Sequence, residues 1–537
     1  MQKKIKKLLQ SHWPLLINLC ILFALLLRNP YSNRTLIPNF EPFPDAFYYV
    51  TTPLCFLQGD GWKMCRLHNP ELQGIESVVG PLYSISMLPI FTLLRDPRSF
   101  YFTNIILSTL SMFLFYLISK KAMKKNLIVA VLLLLYATNY YTYWYPTLAM
   151  AENILIPLFL LSVLLIQTKI TKKNAFIAGM VVPAFYAAKY AYIPLSAVFF
   201  CIYAYKLWKN HRTRKNASYR TVLFFLLPLF GFGLLLFDIQ NVLFFAQSLF
   251  KPSIKVAISE NATQNPGYFS ITYLSSHLAR YASSLIGKPE KFLWSTLPLL
   301  PTFLALPSLL GHLLGWKKEH VLLRIYLLLA ALVQLLFIST FYVVDIRYVF
   351  HFLPILLLGF GFLLSFVSKT VLKKSMVLTA ISLMIFTTMY LGLNFQRLKS
   401  QVSLNLKYAE TPWWQLSVVE ANTYFEKTDT KPYLITLAAP FLHDYYYSNK
   451  YQLLPMHPEQ DFHNFRYNVW GVSESKPLLE LYAEKVKESS VFVSTYGISA
   501  TSGFKAVFEN IKTTFDLEEV HTGCFSTCTI YQLHEKK

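Results

Sequence analysis

The chain has 537 residues, of which 54% are hydrophobic and only 15% are charged. Because soluble domains carry about 25% charged residues, this composition excludes a protein that is soluble throughout. The net charge of +22 is confined to residues 1–395, which carry +24, whereas residues 396–537 carry −2. A basic excess restricted to the apolar part indicates membrane orientation and does not favour nucleic-acid binding.

The first apolar run, "WPLLINLCILFALLL", follows "KKIKK" and lacks a small-residue cleavage site, so we interpret it as a retained anchor with a cytoplasmic N-terminus. Further basic clusters lie at residues 119–125, 168–174, 206–220, 316–320 and 369–374. Placing all six clusters in the cytoplasm predicts a multi-pass α-helical membrane protein with about eleven transmembrane helices. They lie near residues 13–28, 99–119, 127–144, 148–167, 175–188, 190–208, 221–238, 294–315, 321–343, 348–367 and 375–395.

This topology leaves two long loops on the outer face, residues 29–98 and 239–293. The segment "GPLYSISMLPIFTLL" (80–94) is apolar enough to cross the membrane, but a crossing would place the next three basic clusters, as far as residue 220, outside. We therefore predict that it is a juxtamembrane helix that lies on the outer leaflet. The transmembrane domain is assigned to residues 1–395.

Residues 396–537 differ in pattern. Short β-like runs ("PYLITLA", "YQLLPM", "VFVSTYG", "CTIYQL") alternate with amphipathic stretches ("WWQLSVVEANTYFEKT", "PLLELYAEKVKE"). The alternation predicts a soluble α/β domain outside the cytoplasm. The domain has no glycine-rich nucleotide fingerprint, so an enzyme working there must draw its energy from another activated group.

The six cysteines fall into two classes. Cys20 and Cys201 lie in predicted spans and are interpreted as apolar fillers. The other four form two candidate disulfides in a compartment that permits oxidation, Cys55 with Cys65 and Cys524 with Cys528. Neither spacing matches a zinc signature.

Ionisable residues collect at the predicted outer surface. They are Asp45, Lys63, Arg66 and His68 in the first outer loop, Glu152 at the outer end of the fourth helix, Lys189 between the fifth and sixth helices, and Asp345 and Arg347, followed by Tyr348, between the ninth and tenth. Such residues are costly near lipid and tend to mark functional sites. A transporter is expected to place its charges near the midplane of the bilayer. Charges at one surface favour an enzyme that acts on a substrate at the outer leaflet.

Structural roles remain as alternatives for each residue. Asp45 suits an Asx turn or a helix N-cap after Pro44, and Glu152 suits the first turn of a helix because of the helix dipole. Lys189 suits a snorkelling position at the interface. Asp345 and Arg347 suit a simple ion pair with each other.

Four segments together resemble a known family. They are "PDAFYYVTTPLCFLQGDGW", "GPLYSISMLPIF", "MAENILIPLFLL" and "RYVFHFLPILLL". In this order they resemble the membrane glycosyltransferases of the C-type (GT-C) fold. The likeness is to the bacterial relatives of protein O-mannosyltransferases and of the lipid A aminoarabinose transferase (glycosyltransferase family 39/83-like), and it covers the membrane half.

The resemblance implies a polyprenyl-phosphate sugar as donor, and Asp45 and Glu152 as the catalytic acidic positions. Polyprenyl phosphate is a good leaving group, so one base for the acceptor suffices, whereas a glycosidase needs two carboxyl groups flanking the bond. The remaining candidates bind the donor phosphate or the sugar. Lys189, Arg347, Tyr348, Arg66, Lys63 and His68 are assigned to the phosphate, and Tyr48, Tyr49 and Trp62 to stacking on acceptor or sugar.

Many members of the family carry Asp-Glu in the first loop, where this chain has Asp45-Ala46. The missing second acid argues against a metal role that depends on it. If a divalent metal ion binds, Asp45 and Glu152 are its candidate ligands. The predicted enzyme is an inverting hexosyl- or pentosyltransferase of the cytoplasmic (inner) membrane and cell envelope. Its acceptor is a lipid, a glycan or a protein.

Three other functions stay open. A polytopic transporter or flippase would move a substrate without forming a bond. A polysaccharide ligase would also use lipid-linked glycans. A noncatalytic membrane protein would use residues 396–537 to bind a partner, and its outer charges could be neutralised without consequence.

Overall fold

The computed structural model describes most of the membrane half and parts of the C-terminal region. The described residues are 2–27, 45–59, 61–62, 80–94, 99–123, 125–213, 219–236, 270–290, 297–314, 321–341, 344–370, 376–407, 424–425, 431–435, 451–454, 476–495, 502–522 and 529–536.

The first 407 residues are helical wherever they form regular structure in the described ranges. The helices are α1 (Gln2–Leu26), α2 (Asp45–Gln58), α3 (Pro81–Leu94), α4 (Ser99–Ala122), α5 (Asn126–Ala137), α6 (Tyr140–Trp144), α7 (Glu152–Gln167), α8 (Lys172–Ala188), α9 (Ile193–Thr213), α10 (Tyr219–Leu236), α11 (Leu274–Leu285), α12 (Thr302–Leu313), α13 (Val321–Ile338), α14 (Phe352–Thr370) and α15 (Met376–Lys407). Short 3-10 turns precede α9, α11 and α14 and follow α6.

A helix occupies each of the eleven segments that the sequence predicts to span the membrane. Among the described residues, four helical segments are long and apolar enough to cross a bilayer, and a fifth qualifies if the bent pair α5–α6 is one span. The four are Ser99–Ala122, Tyr190–Arg212, Val321–Ile338 and Phe352–Thr370. The chain is thus a multi-pass helical membrane protein, and the number of eleven spans stays a prediction.

Lysines cover the C-terminal end of α7. Lys121, from the end of α4, donates to the carbonyl of Gln167. Lys206, from α9, donates to the carbonyl of Leu165 at 2.8 Å. The last carbonyls of a helix lack intrahelical donors and carry partial negative charge, so cations there are favourable.

The same end of the bundle gathers other basic segments. Lys120 donates to the carbonyl of Ser11 in α1 at 3.0 Å, and Lys125 donates to Ser368 near the end of α14. The chain segments that adjoin five of the six basic clusters therefore meet at one end, which we call the basic end. Because α7 has 16 residues and a helix rises 1.5 Å per residue, its first residue lies about 24 Å away, at the opposite end.

Both termini of helix α3 lie on the side of the bundle opposite the basic end. A Cβ on Gly80 would lie 2.4 Å from the carbonyl oxygen of Ala187, so the chain before α3 packs against the end of α8. Leu94 is five residues before Ser99, where α4 begins. With 14 residues, α3 is about 21 Å long, less than the roughly 30 Å of a hydrocarbon core. This is the arrangement expected of a juxtamembrane helix.

The predicted span 127–144 is broken. Helices α5 and α6 meet at an angle of 57°, and the side chain of Asn139 caps α6 by accepting from the backbone N–H of Tyr141 at 2.9 Å. The Asn139 amide also donates to the carbonyl of Leu299 at 2.9 Å and to the hydroxyl of Tyr390 at 3.0 Å. These bonds satisfy polar groups that the break would otherwise leave unpaired.

Glycines set the close approach of α12 and α14. A Cβ on Gly311 would lie 1.8 Å from the carbonyl oxygen of Gly359. We expect Gly311→Ala to lower the melting temperature of the detergent-solubilised protein, because overpacking costs typically about 1–3 kcal/mol. The matched control is Gly231→Ala in α10, where a Cβ meets nothing within 4 Å. Equal melting temperatures for the two variants would contradict this account of the helix contact.

Close contacts divide the chain into two units. The first contains residues 1–38, 79–246 and 269–407, and the second contains residues 39–78, 247–268 and 408–537. Residues 39–78 of the first outer loop thus belong to the same unit as residues 408–537.

The C-terminal region contains a five-stranded mixed sheet. Its elements are β1 (Tyr433–Ile435), β2 (Gln452–Leu454), α16 (Lys476–Glu488), β3 (Val491–Ser494), α17 (Ser502–Thr514), β4 (Phe515–Thr522) and β5 (Thr529–Glu535). The strand order is β2-β1-β3-β5-β4; β1 pairs in parallel with β2 and β3, and β5 pairs antiparallel with β3 and β4.

Both faces of the sheet are covered by apolar side chains. On one face, Tyr482 of α16 and Ile511 of α17 pack with Val491 of the central strand. On the other face, Phe425 packs with Phe492. The sheet is therefore the centre of an α/β structure, of which α17 and β4 were not predicted.

Candidate active site

Glu152 is the first residue of α7, at the end opposite the basic end. Its side chain is 1% exposed, and its Oε1 accepts from Lys189 Nζ at 3.1 Å and from the Tyr192 hydroxyl at 3.3 Å. Oε2 is buried with no hydrogen-bond partner among the described residues. Buried carboxylate oxygens are normally hydrogen-bonded, so Oε2 is an acceptor available to a ligand.

Two asparagines shape the loop before Glu152. The Asn153 amide donates to three carbonyls, those of Tyr145, Leu148 and Met150, at 2.9–3.1 Å. The Asn104 amide of α4 donates to the carbonyl of Leu148 at 2.9 Å. Each bond of this kind contributes about 0.5–1.5 kcal/mol net. Together they hold an irregular loop whose end positions Glu152.

The loop is tied to the juxtamembrane helix as well. The Tyr83 hydroxyl of α3 donates to the side-chain amide oxygen Oδ1 of Asn104 at 2.7 Å. Both side chains are fully buried. Helix α3 is therefore linked through Asn104 to the loop that precedes α7.

Lys189 lies between α8 and α9 in extended backbone. The turn that follows is held from α13, because the buried Gln334 amide donates to the carbonyl of Ala191 at 3.0 Å. His351, fully buried, packs edge-on against Tyr192 with ring centroids 5.7 Å apart. Among the described residues, no partner contacts either ring nitrogen of His351. The Lys189 turn is thus fixed from two neighbouring helices.

Asp345 and Arg347 form the turn between α13 and α14. Asp345 Oδ1 accepts from the backbone N–H of Arg347 at 2.9 Å and so caps the 3-10 turn. Arg347 Nε lies 2.9 Å from Asp345 Oδ2. Burial raises the pKa of the Asp345 carboxyl, and the Arg347 guanidinium opposes that rise. Asp345 and Arg347 thus form an ion pair with each other, which is the structural alternative that the sequence analysis gave for them.

Tyr281 of α11 fixes this turn through its hydroxyl. That hydroxyl donates to the Asp345 carbonyl at 3.4 Å and accepts from the Asp345 backbone N–H at 3.1 Å. Burial raises the pKa of Tyr281 well above its usual range, so the hydroxyl stays protonated and able to donate. Helix α11 therefore contributes to the site from a loop to which the sequence assigned no role.

Both cations converge on Tyr348. Lys189 Nζ lies 5.6 Å and the Arg347 guanidinium 5.1 Å from the centre of its ring, both in cation–π range. Arg347 also donates to the Tyr348 hydroxyl at 3.3 Å. The structure thus brings together four residues predicted from separate parts of the sequence: Glu152, Lys189, Arg347 and Tyr348.

Tyr145 adds a hydroxyl between the two ion pairs. Its ring stacks on Phe350 with centroids 4.4 Å apart, and its hydroxyl interacts electrostatically with Asp345, Glu152 and Arg347. That hydroxyl is buried and has no hydrogen-bond partner among the described residues. Within the part of the chain that the structure describes, the site therefore holds an unpaired hydroxyl and an unpaired carboxylate oxygen beside two cations.

The first-loop candidates belong to the other unit. Asp45 is the first residue of α2, and its side chain lies outside the described residues, as does that of Tyr48. Tyr49 is 1% exposed, and Trp62 packs edge-on against Phe56 at 5.6 Å. Three predicted phosphate ligands, Lys63, Arg66 and His68, also lie outside the described residues.

Of the six cysteines, the structure describes three. Cys55 is disulfide-bonded, whereas Cys20 and Cys201 are free thiols. The partner of Cys55 lies outside the described residues, as do the three other cysteines, Cys65, Cys524 and Cys528. The specific pairings stay predictions.

The described residues do not suit a metal ion. No three His, Cys, Asp or Glu side chains among them are grouped to hold one. The carboxylates of the site are instead neutralised by Lys189 and Arg347. The metal alternative involves Asp45, whose side chain lies outside the described residues, so it stays a prediction.

Comparison with known proteins gives a fold but no sequence family. No protein-family model and no curated sequence matches the chain. Among solved structures, ArnT from Cupriavidus metallidurans bound to undecaprenyl phosphate superimposes with a TM-score of 0.58 at 10% identity, over 97% of this chain and 98% of that one. The chain has the GT-C fold.

Two further structures agree with the GT-C assignment. ArnT in its apo state gives a TM-score of 0.56 at 10% identity, with 97% of both chains covered. Archaeal oligosaccharyltransferase AglB from Archaeoglobus fulgidus, in complex with an inhibitory peptide and a dolichol-phosphate, gives 0.50 at 11% identity, over 93% of this chain and 71% of that one. The predicted resemblance to the GT-C fold is confirmed.

Several residues of this GT-C site were missed in the sequence. Tyr145, Tyr192 and Tyr281 carry no distinguishing signal, because the chain has 35 tyrosines and tyrosine is common at membrane interfaces. Gln334 did carry one, since it is a polar residue within the apolar run "LLLAALVQLLF". A polar side chain in such a run normally has a partner to satisfy.

Proposed function

We propose that the protein is an inverting glycosyltransferase that moves a sugar from a polyprenyl-phosphate donor to an acceptor at the outer face of the cytoplasmic membrane. The observation that carries the proposal is the convergence of Lys189 and Arg347 on Tyr348, beside two buried carboxylates, in a GT-C fold. ArnT and AglB, which share the fold, are each described with a polyprenyl-type phosphate. The acceptor is a lipid, a glycan or a protein.

Lys189 and Arg347 are suited to the phosphate of the donor. Negative charge grows on the phosphate as the glycosyl bond breaks, and fixed cations in a water-poor site stabilise it. Arginine's planar fork matches phosphate oxygens, whereas lysine acts as a point charge. Tyr348 holds both cations on one ring and so sets their spacing.

Acid–base chemistry falls to the carboxylates. We assign to Asp45 the role of the base that takes the proton from the acceptor, on the basis of its sequence context and of the family resemblance. Glu152 offers Oε2 to a hydroxyl or amine of the sugar or acceptor, because that oxygen has no donor among the described residues. Attack opposite the phosphate inverts the anomeric centre.

The orientation follows from charge. Lysine-rich segments meet at the basic end, and the positive-inside rule assigns such segments to the cytoplasm. The site, at the other end of α7, then faces away from the cytoplasm, as the C-terminal α/β region does in the predicted topology. Nucleotide donors are scarce there, which suits a donor carried on lipid.

The direct test is incubation of the purified full-length protein with a radiolabelled polyprenyl-phosphate sugar and a membrane extract. We expect label to move from the donor into a new product, with loss of the label from the polyprenyl fraction. Label that crosses the bilayer of a proteoliposome while it stays on the original lipid would instead establish the flippase alternative. Transfer of a preassembled glycan from a pyrophosphate-linked lipid alone would establish the ligase alternative.

A further inference from the structure

Each cation of the site forms an ion pair with a buried carboxylate. The Lys189 side chain is 14% exposed and its partner Glu152 1%. The Arg347 side chain is 12% exposed and its partner Asp345 1%. In both pairs the cation is the accessible member, and the carboxylate lies behind it.

This arrangement has a consequence for charge. Two cations near one ring, without carboxylates, would form a phosphate site with two positive charges. With Glu152 and Asp345 in contact, the four described side chains sum to zero. The negative charges of Glu152 and Asp345 repel an anionic ligand. Anion binding alone therefore does not explain why the two carboxylates are present.

The donor and the product of the proposed reaction differ in charge. The donor is a phosphodiester with one negative charge. As the bond from the anomeric carbon to the phosphate oxygen breaks, its electron pair stays on the phosphate, the acceptor oxygen bonds to the carbon, and the acceptor proton goes to the base. The polyprenyl phosphate that remains is a monoester with about 1.5 to 2 negative charges at pH 7.

We propose, resting on the function proposed above, that Glu152 and Asp345 act as counter-charges that set the selectivity of the site for a singly charged phosphodiester over a doubly charged phosphomonoester. They orient the two cations toward the donor phosphate and weaken the hold of the site on its own product. The pairs thereby favour release of polyprenyl phosphate after transfer. Glu152 keeps its free oxygen for the substrate while Oε1 serves this role.

The size of the effect follows from Coulomb's law. A carboxylate about 6 Å from the phosphate, at an effective dielectric constant of about 20, changes the affinity for one additional ligand charge by about a hundredfold. Screening by water at the accessible side reduces this value. We therefore expect a change of about 10- to 100-fold when one carboxylate is neutralised.

The test measures binding of two probes to the full-length protein in nanodiscs. One probe is a polyprenyl phosphate, and the other is its methyl phosphodiester, which keeps a single charge. The variants are Asp345→Asn, in which the amide oxygen still caps the turn, and Glu152→Gln. In each we expect the affinity ratio of monoester to diester to rise about 10- to 100-fold, and to rise further between pH 5 and pH 8 as the monoester gains its second charge.

A double variant gives the matched control. Asp345→Asn combined with Arg347→Gln removes both members of one pair, so the net charge equals that of the wild type. We expect both affinities to fall and their ratio to return toward the wild-type value. A purely structural role for Asp345 predicts instead that both affinities fall together in the single variant, with an unchanged ratio.

The outcomes separate the two proposals. Wild-type protein that binds neither probe overturns the proposed donor class and this inference with it. Wild-type protein that binds both, with a ratio that neither single variant changes, overturns the inference alone. Enhanced inhibition of Asp345→Asn by added polyprenyl phosphate, with a burst in the first turnover, is the kinetic result that we expect.

Discussion

Replacing Asp45 with asparagine is expected to lower the rate of sugar transfer by about 10²–10⁴-fold, the usual contribution of a general base. The amide keeps the shape of the side chain and its ability to begin α2, but it cannot take a proton from the acceptor. Donor binding should therefore stay close to normal while turnover is lost. The measurement is single-turnover transfer from a labelled polyprenyl-phosphate sugar, alongside direct donor binding.

The matched control for Asp45 is Glu71→Gln, which removes a carboxylate from the same outer loop. We expect this variant to transfer sugar at nearly the wild-type rate. Near-normal turnover by Asp45→Asn would remove the base assignment. Equal losses in the two variants would show that the charge of the loop, and not one proton acceptor, is what matters.

Replacing Arg347 is expected to affect both stability and donor binding. Removing one partner of a buried ion pair costs about 3–5 kcal/mol, because the other charge is left uncompensated, and Asp345 is 1% exposed. Arg347→Gln should therefore lower the melting temperature markedly. It should also weaken donor binding about 10- to 100-fold, since hydrogen bonds to charged groups contribute about 1.5–3 kcal/mol.

The two effects of Arg347→Gln can be separated by adding Asp345→Asn. The double variant buries no unpaired charge, so we expect most of the thermal stability to return while donor affinity stays low. Arg347→Lys tests the geometry, because lysine keeps the charge but loses the fork. Donor affinity that recovers together with stability in the double variant would show that Arg347 acts only by supporting the fold.

The helices of the membrane half were predictable because each predicted span is a long apolar run with a basic cluster at one end. The break at Asn139 was not, because the run from 126 to 144 contains no proline, glycine or charged residue. Its cause is distant in the chain: Asn139 is held by Leu299 and Tyr390, which are 160 and 251 residues away. Hydropathy reports local composition and contains no information on such contacts.

The missed elements of the C-terminal sheet have a different cause. Strand β4 is an edge strand, and its sequence "FDLEEVHT" carries three acidic residues. Charged residues on an edge strand discourage pairing with other chains. They also interrupt the alternation of apolar and polar residues by which a strand is recognised in a sequence. The central strand β3 has four buried residues in succession. Its pattern is not interrupted by charges, and it was predicted.

For the candidate site, charged residues were predictable and their neutral supports were not. Glu152, Lys189 and Arg347 stand out because ionisable groups are rare in an apolar chain. These residues come together because α7, α9 and α14 begin at the same level of the helix bundle. A local sequence pattern contains no information on that alignment. The hydroxyls of Tyr145 and Tyr192 became evident only from the geometry.

The lysines at the basic end carry a consequence for experiments on topology. In the predicted topology, Lys121 and Lys206 belong to the positive charges that keep their loops in the cytoplasm. Both also donate to the last carbonyls of α7. Charge-reversal mutagenesis intended to flip the protein in the bilayer would therefore unravel a helix terminus in the same step. Such mutants should report misassembly, so inverted insertion is better engineered by adding charges to the far loops than by deleting these two.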